Sequence, residues 1–185
     1  MSKKIIALVG MPGSGKGTCT DYLHETYGFP VVHFGSMVYE EVQRRGLDNV
    51  NDEKFVREDM RAQEGPAVMA IHAANKADEL LKGSTQTVVF DGLYSWSEYK
   101  YLSEKYGDDL LVIAVATPRA ERYRRILARN DSHRKYTSAD QIKERDVAEI
   151  ENLEKGGPIA FADYTLANDG SPETMLKKLQ SIIES

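Results

Sequence analysis

A chain of 185 residues is the size of one domain with a core of its own. Hydrophobic residues at 41% and charged residues at 29% describe an ordinary globular protein, and no apolar run approaches the ~20 residues of a membrane span. A formal net charge of −5 argues against general nucleic-acid binding, and Cys19, the one cysteine, excludes an internal disulfide. The apolar run after Met1-Ser2-Lys3-Lys4 is too short for a secretory signal, so a cytoplasmic protein is expected.

A first strand is expected over about 4–9, from Ile5-Ile6-Ala7-Leu8-Val9. Gly10-Met11-Pro12-Gly13-Ser14-Gly15-Lys16 then satisfies the pattern G-x-x-x-x-G-K. A helix over about 16–27 follows, with Tyr22, Leu23 and Tyr27 at helical spacing. In this strand, loop and helix order the pattern means a phosphate cradle. Glycines let backbone amides close around phosphate oxygens, and a helix N-terminus adds positive potential. Gly13, Ser14, Gly15, Lys16, Gly17 and Thr18 are therefore the expected ATP site, with Lys16 as a mobile cation for the outer phosphates. The hydroxyl comes at Thr18, one place later than directly after the lysine. There it would hold a phosphate, or a magnesium-bound water.

Gly28 and Pro30 stop that helix, and Val31-Val32-His33-Phe34 reads as a second strand. His33 has no metal-binding neighbour in sequence, so a polar structural role is expected. Ser36 is expected to cap a helix over about 36–45. A further helix over about 51–64, capped by Asn51 or Asp52, carries Arg57 and Arg61 on one face. These two either pair with Glu53, Glu58 or Glu64 at the surface or grip an anionic acceptor. Gly65-Pro66 restarts a helix to about 82. Within it, Asn75-Lys76-Ala77-Asp78 matches the N-K-x-D of guanine readers, but that motif should end a strand and is rejected here.

A third strand is expected over about 85–91, ending in Asp91. A carboxylate there, beside the phosphate-loop strand, would hold magnesium through water or polarise an acceptor hydroxyl; otherwise it is a turn cap. Ser97 is expected to cap a helix to about 106. The continuous apolar run 110–116 marks a central parallel strand covered on both faces. Thr117 as cap and Pro118 in the first turn should start a helix through Arg122, Arg125 and Arg129 to about 130. Residues 119–135 hold seven basic side chains against Glu121 and Asp131, either a local anion site or a solvated helix face. Ser138 and Gln141 resemble a capping box opening a helix to about 154, with Arg145 and Asp146 in its middle, and Gly156-Gly157-Pro158 should end it. A last strand over 164–167 precedes a helix capped by Ser171-Pro172. Alternating strands and helices imply an α/β fold, a parallel sheet with helices on both faces. Ligands then bind beyond the strand carboxyl ends, where Gly10, Gly35, Asp91 and Thr117 should converge.

Several stretches together resemble small P-loop nucleotide kinases, of the adenylate-kinase-like and dephospho-CoA-kinase-like type and a largely archaeal AAA-family ATPase group. They are Gly10 to Thr18, Glu40-Glu41 through Arg45-Gly46-Leu47, Arg61-x-x-Glu64-Gly65, Phe90-Asp91-Gly92, Arg145-Asp146-x-x-Glu149, and Ala162-Asp163-Tyr164 through Asn168-Asp169-Gly170-Ser171. The resemblance implies a three-layer P-loop NTPase fold around a five-stranded sheet, an acceptor-binding helical insert over 36–82 and a lid over 129–140. It implies ATP and Mg2+ as cofactors, Asn168 in the ATP site, and Ser36, Tyr39, Arg57, Arg61 and Tyr94 at the acceptor. By the same likeness Arg125 and Arg129 approach the ATP phosphates, and Arg134 and Arg145 close on the transferring group. Tyr39 and Tyr94 stand where relatives place a phosphate-holding arginine, which would lose ~1.5–3 kcal/mol of grip at each.

The expected activity is transfer of the ATP γ-phosphate to a nucleoside monophosphate or nucleoside. Dephospho-CoA or another small metabolite is the alternative acceptor, and an ATPase switch or regulator the alternative outside the kinases. Partners beyond the acceptor, whether nucleic acid or membrane, are not expected, and the chain would be a monomer or homodimer.

Overall fold

A computed structural model describes residues 4–48, 52–129 and 136–185. The expected five strands form one parallel sheet in the order β2-β3-β1-β4-β5, from β1 (Ile5–Val9), β2 (Val31–His33), β3 (Val88–Asp91), β4 (Leu110–Ala116) and β5 (Tyr164–Ala167). β1 and β4 lie inside the sheet, which explains their unbroken apolar sequences. Successive side chains of β1 point to opposite faces. Ile5, Ala7 and Val9 join one cluster with Phe90, Phe34 and α4 (Val68–Leu81), while Ile6 and Leu8 join Cys19 and Leu23 of α1 (Lys16–Tyr27) and Leu179 of α9 (Pro172–Ile183). Helices therefore cover both faces.

Between β2 and β3 the chain inserts α2 (Ser36–Arg44), α3 (Glu53–Glu64) and α4. Asn75, Lys76, Ala77 and Asp78 lie within α4, consistent with rejecting a guanine motif there. Then come α5 (Trp96–Tyr106), α6 (Arg119–Ala128), α7 (Ala139–Leu153) and the short α8 (Gly156–Ala160). Among the described residues no helix is long and apolar enough to cross a membrane.

Several local expectations need correction. Ser36 does not cap α2: Gly35 takes the cap position, and the Ser36 hydroxyl donates to the His33 carbonyl at 2.8 Å. Asp52 occupies the cap of α3 without a side-chain bond, because its carboxylate accepts from the Asp48 amide instead; Asn51 lies outside the described residues. α5 is capped by Ser95, not Ser97. Ser95 Oγ accepts from the Glu98 amide, while Glu98 accepts from the Ser95 amide, a complete capping box. Pro118, not Thr117, caps α6, since the Thr117 hydroxyl is committed elsewhere. Gly156-Gly157-Pro158 does not simply end α7: it forms α8, with Gly157 packed close against Trp96. β3 starts at Val88 rather than 85, so the segment before it stays outside the ladder.

Candidate active site

The phosphate loop is built by close approach. Gly13 has φ 77°, and a Cβ there would come within 2.9 Å of the Arg122 carbonyl oxygen on α6. Gly15, the N-cap of α1, has φ 101°. Both lie in the left-handed region that glycine enters without steric cost. The Ser14 carbonyl accepts from Thr117 Oγ1 at 2.9 Å and Asn168 Nδ2 at 2.8 Å, so the ends of β4 and β5 hold the loop from behind. Arg122 Nη1 donates to the Pro12 carbonyl at 2.9 Å. That guanidinium is buried against Asp146 of α7, with contacts of 3.2 and 2.6 Å.

Lys16 is folded over its own loop, donating to the Gly10 carbonyl at 2.7 Å. Its ammonium is pulled down to about 7, first by burial and then by the charge of Lys155; Asp91 and Glu149 oppose the shift. The loop fits an anionic polyphosphate on three observations. Among the described residues Lys16 has only carbonyl oxygens for hydrogen-bond partners and the buried Ser14 hydroxyl has none, and the first turn of α1 carries no acidic residue. A Cβ on Gly17 would meet nothing, so the space over that turn is open, and Thr18 stands exposed beside it.

Asp91 ends β3 in register with Leu8 of β1 and His33 of β2. Its Oδ2 lies 3.1 Å from His33 Nδ1. This hydrogen bond raises the imidazole above its usual range. The polar role expected for His33 is thus a contact with the candidate metal carboxylate. Among the described residues no three His, Cys, Asp or Glu side chains form a cage for a cation. A magnesium ion here would depend on phosphate oxygens and water for most of its ligands.

Asp91 also lies at the edge of a cavity of about 930 Å³. Ser36, Tyr39, Arg57, Arg61, Tyr94 and Arg145 all line it, so the fold gathers every residue expected at the acceptor. Arg57 pairs with Glu53 at 2.6 Å. Arg61 reaches Glu98 at a long 3.5 Å, and its buried Nε has no hydrogen-bond partner among the described residues. Glu98 is fully buried; burial raises its carboxyl despite Arg61 and two backbone amides. The Tyr94 ring folds back over Gly92. Arg145 donates to Glu149 at 3.0 Å and to the Tyr136 hydroxyl at 2.9 Å.

The remaining arginines lie elsewhere. Arg125 turns to Glu121 at 2.7 Å and to the Asn168 carbonyl at 3.3 Å, bracing the loop's support. Arg129 is exposed at the end of α6, and neither lines the cavity. Arg134, and most of the expected lid, lie outside the described residues. Sequence reasoning missed Glu98, Lys155 and the Arg122–Asp146 pair. A signal existed for Glu98, since Ser95-x-x-Glu98 is itself a capping-box spacing. None existed for Lys155, one lysine among many in sequence yet 1% exposed in the fold.

Comparisons with known proteins agree with this architecture. A family model described as an AAA domain matches residues 9–143. The chain is 36% identical over 185 residues to a UPF0200/UPF0201 protein of Archaeoglobus fulgidus, and spans 56% of that relative's length. It is 34% identical over 183 residues to the UPF0200 protein TK1334 of Thermococcus kodakarensis, covering 97% of this chain and 96% of the other. TT1252 from Thermus thermophilus shares the fold with a TM-score of 0.69 and 21% identity, covering 100% of this chain and 98% of its own. A shikimate kinase from Bacteroides thetaiotaomicron does so with a TM-score of 0.61 and 14% identity, covering 98% and 99%.

Proposed function

Because this chain belongs to the AAA-domain family of P-loop, kinase-like proteins and to the UPF0200 family, we propose that it is an ATP-dependent phosphotransferase. One observation carries the reading: Asp91, which lines a cavity of about 930 Å³, pairs in the sheet with Leu8 of the strand that leads into the phosphate loop. A nucleotide switch needs no second chamber of that size beside its γ-phosphate, whereas a kinase needs one for the acceptor.

Phosphoryl transfer asks mainly for positioning and charge neutralisation. The loop amides and Lys16 hold the triphosphate. Thr18 and Asp91 would hold the water of a bound Mg2+, which would neutralise charge on the phosphates. Asp91 accepts a hydrogen bond from the attacking hydroxyl and orients it. Arg145 supplies positive charge from the α7 side of the cavity. Arg57 and Arg61 hold an anionic group of the acceptor, and Tyr39 and Tyr94 supply ring surface to a base or other flat group.

A nucleoside monophosphate or nucleoside is the acceptor this favours. A small hydroxy acid is the second reading, favoured by the unpartnered Arg61 Nε, which suits a carboxylate as well as a phosphate, and by the fold shared with a shikimate kinase. The test is ADP release from Mg-ATP in the presence of nucleosides, nucleoside monophosphates, dephospho-CoA and hydroxy acids. One acceptor should stimulate turnover and yield a phosphorylated product. ATP binding with no stimulation by any of them would instead make the chain a nucleotide switch.

A further inference from the structure

Lys155 has no part in the reading above. It is 1% exposed, and lysine is among the residue types least often fully buried. The turn that delivers it is strained: Glu154, the C-cap of α7, has φ 52°, and among the described residues no other non-glycine has a positive φ. A side chain held in that region points to a placement the surrounding fold imposes.

That placement is specific. Lys155 Nζ lies 2.5 Å from Glu149 Oε2 and 4.5 Å from the centre of the Tyr94 ring. The other Glu149 oxygen accepts from Arg145 Nε at 3.0 Å. Glu149, Arg145 and Tyr94 line the cavity, and Lys155 stands behind all three. One carboxylate is thus divided between two cations, so the trio keeps a net positive charge. Without Lys155, Glu149 and Arg145 would neutralise each other.

We propose that Lys155 is a positioning residue of the phosphate site: by occupying one oxygen of Glu149 it leaves Arg145 its charge for the anion bound at Lys16, and it braces the Tyr94 ring from behind. The inference rests on reading the loop as an ATP site.

The experiment is calorimetric binding of Mg-ATP to the full chain for wild type, Lys155→Met, Arg145→Met and the double variant. Lys155→Met should weaken binding about tenfold, equivalent to ~1.4 kcal/mol. The double variant should bind no more than about twofold worse than Arg145→Met, because residues acting through one another are not additive. If the methionine variant does not fold, Lys155→Gln keeps a hydrogen bond to Glu149 without the charge and should show the same deficit. Unchanged affinity, a Lys155→Gln variant that binds like wild type, or a fully additive double variant overturns the inference alone. A wild-type protein that binds no Mg-ATP overturns the nucleotide reading and this inference together.

Discussion

Arg122 and Asp146 form a buried two-point ion pair, and the same guanidinium holds the Pro12 carbonyl of the phosphate loop. The shape of the loop is thereby tied to α7, whose other side chains Arg145 and Glu149 face the cavity. Both partners of the pair are under 10% exposed. Removing one leaves an uncompensated buried charge. Asp146→Ala is expected to lower the unfolding free energy by about 3–5 kcal/mol in urea denaturation. A loss below about 1 kcal/mol would mean that the pair is not buried in solution.

Lys16→Ala should abolish turnover and leave the fold intact, because its partners, the Gly10 and Met11 carbonyls, belong to its own loop. Far-UV circular dichroism and a melting curve monitor the fold while ADP release monitors activity. A variant that keeps a near-normal rate removes Lys16 from the chemistry.

Affinity for ATP should fall as pH rises above 7. Lys16 in the free protein loses its proton near pH 7, chiefly through burial. A bound polyphosphate favours the charged ammonium and raises that value. Above pH 7 the complex therefore holds more protons than the free protein, so binding takes up a proton and weakens with increasing pH. Calorimetry at pH 8 in two buffers of different ionisation enthalpy reads this uptake directly. Proton release, or none, contradicts the burial of Lys16.

Ser95→Ala and Ser97→Ala separate two readings of one helix start. Ser95 accepts from the Glu98 amide at 3.1 Å, and Ser97 lies inside the first turn. Losing the cap should lower stability by about 1 kcal/mol. Ser97→Ala should stay within about 0.5 kcal/mol of wild type. Equal effects from the two would place the cap elsewhere.

Glu98 presents one oxygen to the Tyr94 and Ser95 amides and the other to Arg61, 37 positions away. Glu98→Ala should therefore weaken acceptor binding as well as stability, since Arg61 and Tyr94 both line the cavity. The measurement is KM for whichever acceptor stimulates turnover, and an unchanged KM separates Arg61 from the acceptor.

Local chemistry wrote much of this protein legibly. The spacing of Gly10, Gly15 and Lys16 between an apolar strand and a helix announces the phosphate loop, because backbone conformation there depends on a few adjacent residues. The apolar run at β4 and the final strand could be read directly for the same reason. The caps expected at Ser36, Ser97 and Thr117 are not formed: the Ser36 hydroxyl turns back to the His33 carbonyl three positions away, Ser95 takes the cap of α5, and tertiary contact claims the Thr117 hydroxyl. Its partners are the carbonyls of Ser14 and Asn168, 103 and 51 positions away.

The charged interior belongs to the tertiary structure alone. Lys155, Glu149 and Arg145 fall on and just after one helix, but only folding buries Lys155 and Glu149, sets Lys155 over the Tyr94 ring and brings all three charges to bear on Lys16. Arg122 meets Asp146 only when α6 and α7 pack together. Whether a charge is solvated or buried is set by what closes over it, and that closure is made by residues far away in the chain. The sequence by itself therefore determined the phosphate cradle and the alternation of strands and helices that makes a parallel sheet. Packing decided which charges would stand around it.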